Sequence, residues 1–302
     1  MPEIKRKRVS REGLFFCEFI AEKEARGLSE QSIENYKKVY NIFTRQIGED
    51  ISKTSIYKWI HKMIDSGMNP ISINFYISQI RVFVYWLVKN GHCERFDIKK
   101  IKTQEPQLKT LSDEEITTLL KKPAINCNFV TYRSWVIINF ILATGARAST
   151  VMNVMVDDID FYNKEIRYSH LKNKQTAIVP MSITLEKVLK TYFNTWDLGK
   201  GYLFPDKYGG KLTLNALEQS LRKYTKRRGL KYKGAHSLRH TFARAFVMNG
   251  GNAFVLQRLL THTDLEMTKK YVRLFDGDLH KNFDNLCPLD CFAGGQKTIK
   301  RK

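Results

Sequence analysis

A chain of 302 residues that is 43% hydrophobic and 27% charged holds more apolar material than a single core usually serves, so two domains are expected and a disordered polymer is excluded. Its 51 Lys and Arg against 30 Asp and Glu leave a formal charge of +21, which excludes a neutral surface and favours a polyanionic partner. Both parts share the excess: 19 basic against 13 acidic residues up to Leu108 (+6), and 32 against 17 from Lys109 onward (+15).

At the start, Lys5-Arg6-Lys7-Arg8 has no apolar run behind it, so it does not read as a secretory signal. It suits a nuclear address or an arm lying on DNA phosphates equally well. Helical spacing then links Phe15, Phe16, Phe19 and Ile20. Ser29 or Ser32 is placed to cap a segment with apolar positions Ile33, Tyr36, Tyr40, Ile42 and Phe43. A third helix is expected from Ser52 to Met63. Pro70 opens a fourth, running through Ile73, Ile77, Ile80, Phe83, Val84 and Leu87 to near Gly91. Four such helices make a small bundle over residues 1–98, and their aromatics read as core, so none is assigned to a base contact. No stretch consists of the 18 or so unbroken apolar residues expected of a membrane span.

The polar, basic run Lys99 to Lys109, with Pro106 inside it, reads as an interdomain linker over 99–110. A second domain is expected over 111–275. It opens with Ser112 as a helix cap and Glu115 in the reciprocal position. An apolar helix from Trp135 to Ala143 leads to Thr144-Gly145 and a helix carrying Arg147. Strands are expected at 165–170 and 176–180 around the polar tip Lys172-Asn173-Lys174-Gln175. Helices dominate from Ile183, and residues 276–302 form a tail. The fold class is therefore mainly α with a small β-sheet.

Chemistry concentrates in the C-terminal third. His236-Ser237-Leu238-Arg239-His240 is followed by His262 and then Tyr271, a set that combines phosphate-gripping cations with a phenol able to attack. Guanidinium forks match the non-bridging oxygens of a phosphodiester, which makes Arg147 and Arg239 the two expected clamps. His236 and Arg239, three apart, share one helical face, while Leu238, Phe242 and Phe246 recur on the buried one. A break at Gly234 would start that helix and aim its positive end at a phosphate. Tyr271 is the expected nucleophile. It is singled out among 14 tyrosines by its spacing from His262, although a phenol titrating near 10 needs help to ionise.

Several other groups read as structural. Asp157, Asp158 and Asp160 bunch at a turn without partner carboxylates, so capping outweighs a two-metal site. Cys287-Pro288-Leu289-Asp290-Cys291 lacks the further ligands of a zinc site, and five scattered cysteines point to a reducing compartment. His61, His92, His170 and His280 read as surface residues. His240 stays open between packing and support of the site.

Taken together, Thr144-Gly145-Ala146-Arg147, Leu171-Lys172-Asn173-Lys174, the AHSLRHTF segment from Ala235, Leu260-Thr261-His262 and Met267-Thr268-Lys269-Lys270-Tyr271 resemble the tyrosine recombinase (phage integrase) family, in its small two-domain form with Xer-like architecture. The resemblance implies a helical, SAM-like core-DNA-binding domain followed by a catalytic domain. Arg147, Lys172, His236, Arg239, His262 and Tyr271 match the family's six catalytic residues. It further implies attack by tyrosine on a DNA phosphate to give a 3′-phosphotyrosyl bond and a free 5′-hydroxyl. Lysine acts as general acid, the first histidine assists proton movement, and the second donates to a non-bridging oxygen. Lys174 stays open as a substitute for Lys172, since a hairpin register can slip by two.

No cofactor or metal is implied. The implied partners are double-stranded DNA, further copies of the chain as a synaptic tetramer joined through 276–292, and an accessory directionality factor. The implied setting is cytoplasmic, away from any membrane, with integration or excision of a mobile element as the reaction and little room for an additional arm-binding domain. Two departures from the family pattern stand out. Thr150 replaces the usual Glu or Asp three residues after the first arginine, and Thr261 replaces a common glycine. A type IB topoisomerase and a non-catalytic DNA-binding regulator are the rival readings.

Overall fold

Serine and asparagine side chains open the early helices. The computed structural model describes residues 11–103, 108–169 and 176–260, and the chain divides into two units, 1–106 and 107–302. Helix α1 spans Arg11–Ala25. Helix α2, Glu30–Ile47, is capped by Ser29, whose hydroxyl accepts from the Ser32 amide. Helix α3, Lys53–Asp65, is capped by Ser52 on the Ser55 amide at 3.2 Å, and α4, Pro70–Lys89, by Asn69 on the Ile71 amide at 2.9 Å. Each cap satisfies an amide that the helix itself leaves without a partner, a contribution of about 1 kcal/mol.

The core of this unit is aromatic. Phe16 stacks on Tyr40 with centroids 3.8 Å apart, and Phe83 meets Phe16 edge-on at 5.1 Å. The polar ends of the two largest rings are satisfied: Trp59 Nε1 donates to Gln46 at 2.9 Å and Trp86 Nε1 to Glu22 at 2.5 Å. Helix α4 is long and apolar enough by composition to cross a membrane. Its seven buried residues, Ile73 to Leu87, lie in this core, which accounts for that composition. Beyond α4 the chain has no regular structure, yet Ile98 is buried and Asn74 brackets Ile101 with two 2.8 Å hydrogen bonds to its amide and carbonyl. The stretch read from sequence as a linker is thus pinned to α4 at its start.

In the second unit the Leu111 amide donates to the buried Thr241 hydroxyl at 2.9 Å. Helix α5, Asp113–Leu120, carries the reciprocal Ser112 and Glu115 capping box. Helix α6, Phe129–Thr144, is buried on all sides, with Val136, Ile137, Ile138, Phe140 and Ile141 at or near zero exposure. An all-round apolar helix is the centre of a domain rather than its rim. Against it pack α8 (Ile183–Thr195), α9 (Leu214–Arg227) and α10 (Ala235–Met248), after the four-residue helix α7, Ala148–Val151. Helix α11, Ala253–Leu259, follows α10 and packs on it.

Three antiparallel strands complete the unit: β1 (Ile159–Asp160), β2 (Glu165–Tyr168) and β3 (Ala177–Pro180), in that order. Ile166 pairs with Val179 and Tyr168 with Ala177; Ile166 and Tyr168 alternate inward onto the core as a half-buried strand requires. The acidic turn before β2 serves structure. Asp158 accepts from the Met155 amide at 2.9 Å and the Ser169 hydroxyl at 2.8 Å, and Asp160 holds Asn163. Among the described residues no group of three or more His, Cys, Asp or Glu is placed to hold a metal, and Cys17, Cys93 and Cys127 are free thiols. Lys5 to Arg8, His170, Lys172, Lys174, His262, Tyr271, His280, Cys287, Cys291 and the 276–302 tail lie outside the described residues.

Candidate active site

The site is built where α6 stops. Gly145 ends the helix in the left-handed region (φ 66°), its amide donating to the Ile141 carbonyl at 2.8 Å. A Cβ at this position would lie 2.5 Å from Phe242 Cδ1 and 2.6 Å from Leu260 Cδ2. Glycine is therefore required twice, for its φ and for the close approach of α10 and the end of α11 to the α6 terminus. The Thr144 hydroxyl steadies the turn, donating to the Phe140 carbonyl at 2.7 Å and accepting from the Ala146 amide at 3.2 Å.

Arg147 comes next. It sits at the N-cap of α7 in extended backbone (ψ 154°) and not inside a helix, as sequence reasoning had it, and its side chain caps nothing. Its Nη1 instead donates to the Leu260 carbonyl at 3.1 Å. Arg239, in the second turn of α10, is only 4% exposed, and it donates through Nη1 to the Gly145 carbonyl at 2.6 Å and through Nη2 to Leu260 at 2.9 Å. Two guanidiniums that are far apart in sequence thus meet at one main-chain oxygen, two residues before His262 in the chain. Burying a cation costs several kcal/mol unless its donors are used, and hydrogen bonds from a charged group return about 1.5–3 kcal/mol each. The two carbonyls also fix the plane of the Arg239 fork, which sequence alone placed only on a helical face.

His236 lies one turn earlier on α10 and is open to solvent. Partial desolvation, with the charges of Arg239 and Arg147, holds its pKa below 6.5; Glu218 acts in the opposite direction. His240, half-buried with its ring centroid 6.3 Å from that of His236, is held down by burial and by the His236 and Arg239 charges. The buried phenol of Tyr168, at the end of β2, is pushed up by desolvation, with the Thr144 hydroxyl and the Arg239 charge opposing. That strand therefore ends close enough to Arg239 to feel its charge. The apolar face of α10 is as expected at Leu238, which is buried, whereas Phe242 and Phe246 are half-buried against Leu256 and Leu260.

Of the six residues singled out from sequence, Arg147, His236 and Arg239 are described and cluster at one place; Lys172, His262 and Tyr271 are outside the described residues. The Gly145 and Leu260 carbonyls and Glu218 were missed. Main-chain acceptors leave no trace in side-chain identity, and Glu218 sits on a helix with no motif.

The phage integrase family profile matches residues 109–277, more than half of the chain and the whole span from Arg147 to Tyr271. The chain belongs to the phage integrase family. Over 280 residues this tyrosine recombinase is 26% identical to the tyrosine recombinase XerD of Staphylococcus haemolyticus, covering 87% of this chain and 94% of that protein. It is 27% identical over 272 residues to the tyrosine recombinase XerA of Saccharolobus solfataricus, covering 85% and 87%. Among solved structures, the Tn1549 transposon integrase in complex with a circular intermediate DNA superposes with a TM-score of 0.71 at 18% identity, covering 84% of this chain and 94% of that one. This likeness establishes a shared fold, and the family membership makes the protein a site-specific tyrosine recombinase.

Proposed function

We propose that the recombinase cuts and rejoins double-stranded DNA with Tyr271 as nucleophile and the Arg147 and Arg239 pair as the clamp on the scissile phosphate. The single observation that carries this reading is the meeting of both guanidiniums at the Leu260 carbonyl, 3.1 and 2.9 Å away. Donors fixed before substrate arrives need no reorganisation when charge builds on a pentavalent phosphorus, and each such donor is worth about 10²–10³ in rate.

The Tyr271 oxygen attacks phosphorus, the bond from phosphorus to the 5′ oxygen breaks, and the leaving oxygen takes a proton from Lys172. His236, kept neutral near pH 7 by its lowered pKa, receives the phenol proton. His262 donates to a non-bridging oxygen. The linkage remains a phosphodiester throughout, so rejoining by a 5′-hydroxyl needs no external energy source. Lys172 is preferred to Lys174 because it matches the family position.

Finer assignments follow the same line. Residues 1–98 contact DNA through a helical bundle of net positive charge, 276–292 join protomers in a synaptic tetramer, and the reaction integrates or excises a mobile element in the cytoplasm, its direction set by an accessory factor. A nicked suicide substrate tests the chemistry. The wild-type chain is expected to accumulate a covalent adduct that Tyr271→Phe, Arg147→Ala and Arg239→Ala each lose while DNA binding persists. Binding without any adduct in the wild type would overturn the proposal. Relaxation of plasmids that lack a target site would point to a topoisomerase instead.

A further inference from the structure

Helix α10 begins without a cap of its own. Gly234, at the N-cap with φ 91°, has no side chain to offer, and the first turn is nevertheless where His236 must be held. The Ser237 amide and hydroxyl both turn back to the Gly234 carbonyl, at 3.0 and 2.7 Å. The Ala235 amide is met from another helix. Glu218 on α9 reaches it through Oε1 with a long contact of 3.4 Å, while its Oε2 accepts a short hydrogen bond from the Tyr232 hydroxyl. Tyr232 is itself part-buried, with the Arg222 guanidinium 5.8 Å from its ring centroid. A carboxylate is thus fixed by two donors at the positive end of α10, next in the chain to His236.

We infer that Glu218 is a positioning residue for the recombination reaction: clamped between the Tyr232 hydroxyl and the Ala235 amide, its carboxylate closes the amino end of α10 and holds a negative charge beside the turn that carries His236. The inference rests on His236 acting in the cleavage step, as proposed above.

Among the described residues, the groups that bear on His236 are Arg239 and His240 on its own helix, Arg147 at the start of α7, and Glu218 on α9. Both arginines favour the neutral imidazole and Glu218 favours the imidazolium. Replacing Glu218 by Gln keeps the size and one acceptor but removes the charge. The His236 titration then moves to lower pH, and with it the acid limb of the cleavage profile.

The test uses the full chain and a nicked suicide duplex carrying its cleavage site, with single-turnover cleavage followed across pH and the His236 imidazole followed by NMR. Glu218→Gln is expected to slow cleavage at neutral pH roughly tenfold at unchanged DNA affinity. It should also shift the His236 titration and the acid limb downward together. Tyr232→Phe, which loosens the carboxylate without removing its charge, should slow cleavage less while moving the titration little. Slower cleavage with an unmoved His236 titration in Glu218→Gln would reduce the residue to a helix cap and overturn the inference, as would wild-type behaviour. His236→Ala separates the two layers. If it cleaves at the wild-type rate, the site assignment itself fails; if it loses cleavage while Glu218→Gln matches wild type in both readouts, only the role of Glu218 fails.

Discussion

The two units solve different problems with different materials. The first is held by rings: Phe16, Tyr40, Phe83, Trp59 and Trp86 fill a core whose members recur at helical spacing, and whose two indole N–H groups find partners on neighbouring helices. In the second, at the candidate active site, the decisive contacts are made by main-chain oxygens, a glycine pressed against a ring, and two arginines far apart in sequence. Stability of the first type is spread over many apolar contacts and tolerates drift. The second type is a small constellation in which each member fixes another.

The comparison breaks most sharply at Phe83. Its truncation to Ala should cost the N-terminal unit about 3–5 kcal/mol, read as an early transition in urea denaturation, with little change in the later one. Equal destabilisation of both transitions would show that the units are not separately held. Next in size is Arg239→Ala, expected to lower suicide-substrate cleavage about 10²–10³-fold, equivalent to about 2.7–4 kcal/mol, while leaving the Gly145 and Leu260 carbonyls short of a donor. Arg239→Lys should recover little, because an ammonium cannot span both carbonyls as a fork does.

The legible part of the molecule follows from this contrast. The caps at Ser29, one of the two serines read for that place, and at Ser112, and the opening Pro70, are local decisions carried by residues within one turn, and each appears in the structure; Ser52, read as the first residue of the third helix, is its N-cap instead. The antiparallel pairing of β2 with β3, two strands close together in sequence, is likewise a local event. Arg147 and Arg239 were legible as chemistry, since a phosphate requires forks. Their meeting point was not, because a carbonyl belongs to every residue and only the path of α11 brings Leu260 to them. The place of Arg147 at an N-cap was missed for a related reason: Gly145 redirects the chain, so the apolar pattern of α6 does not continue through it. Glu218 was invisible because its partners are Tyr232, in a connection with no periodicity, and the main-chain amide of Ala235, which side-chain identity does not reveal.

Two glycines of the same φ sharpen the comparison. Gly145 and Gly67 have φ of 66° and 70°, but a Cβ at Gly67 meets nothing within 4 Å whereas one at Gly145 strikes Phe242 and Leu260. Gly145→Ala should cost about 2–4 kcal/mol, combining overpacking with left-handed strain, and should depress cleavage as well. Gly67→Ala should cost about 1 kcal/mol through strain alone and leave cleavage intact. Equal costs would mean that the close approach at Gly145 is easily relieved.

The smallest expected effect concerns pH. His236 and His240 both have folded-state pKa values below 6.5, so the folded second unit binds fewer protons than its unfolded chain just below that value. Their contribution to stability is whole above about pH 6.5 and declines as pH falls through and below it. Melting temperature of the second transition should therefore drop on acidification across that window, and His236→Gln combined with His240→Gln should flatten the slope. An unchanged slope in the double variant would assign the acid sensitivity to other groups.

Mass spectrometry of the peptide that remains attached to DNA after trapping on a nicked duplex asks the question most directly. Attachment of a 3′-phosphate to Tyr271, with yield collapsing when either Arg147 or Arg239 is replaced by Ala, is the expected result. A nucleotide found on any other side chain, or full adduct yield without the two arginines, would contradict a site in which paired guanidiniums hold the phosphate for that phenol.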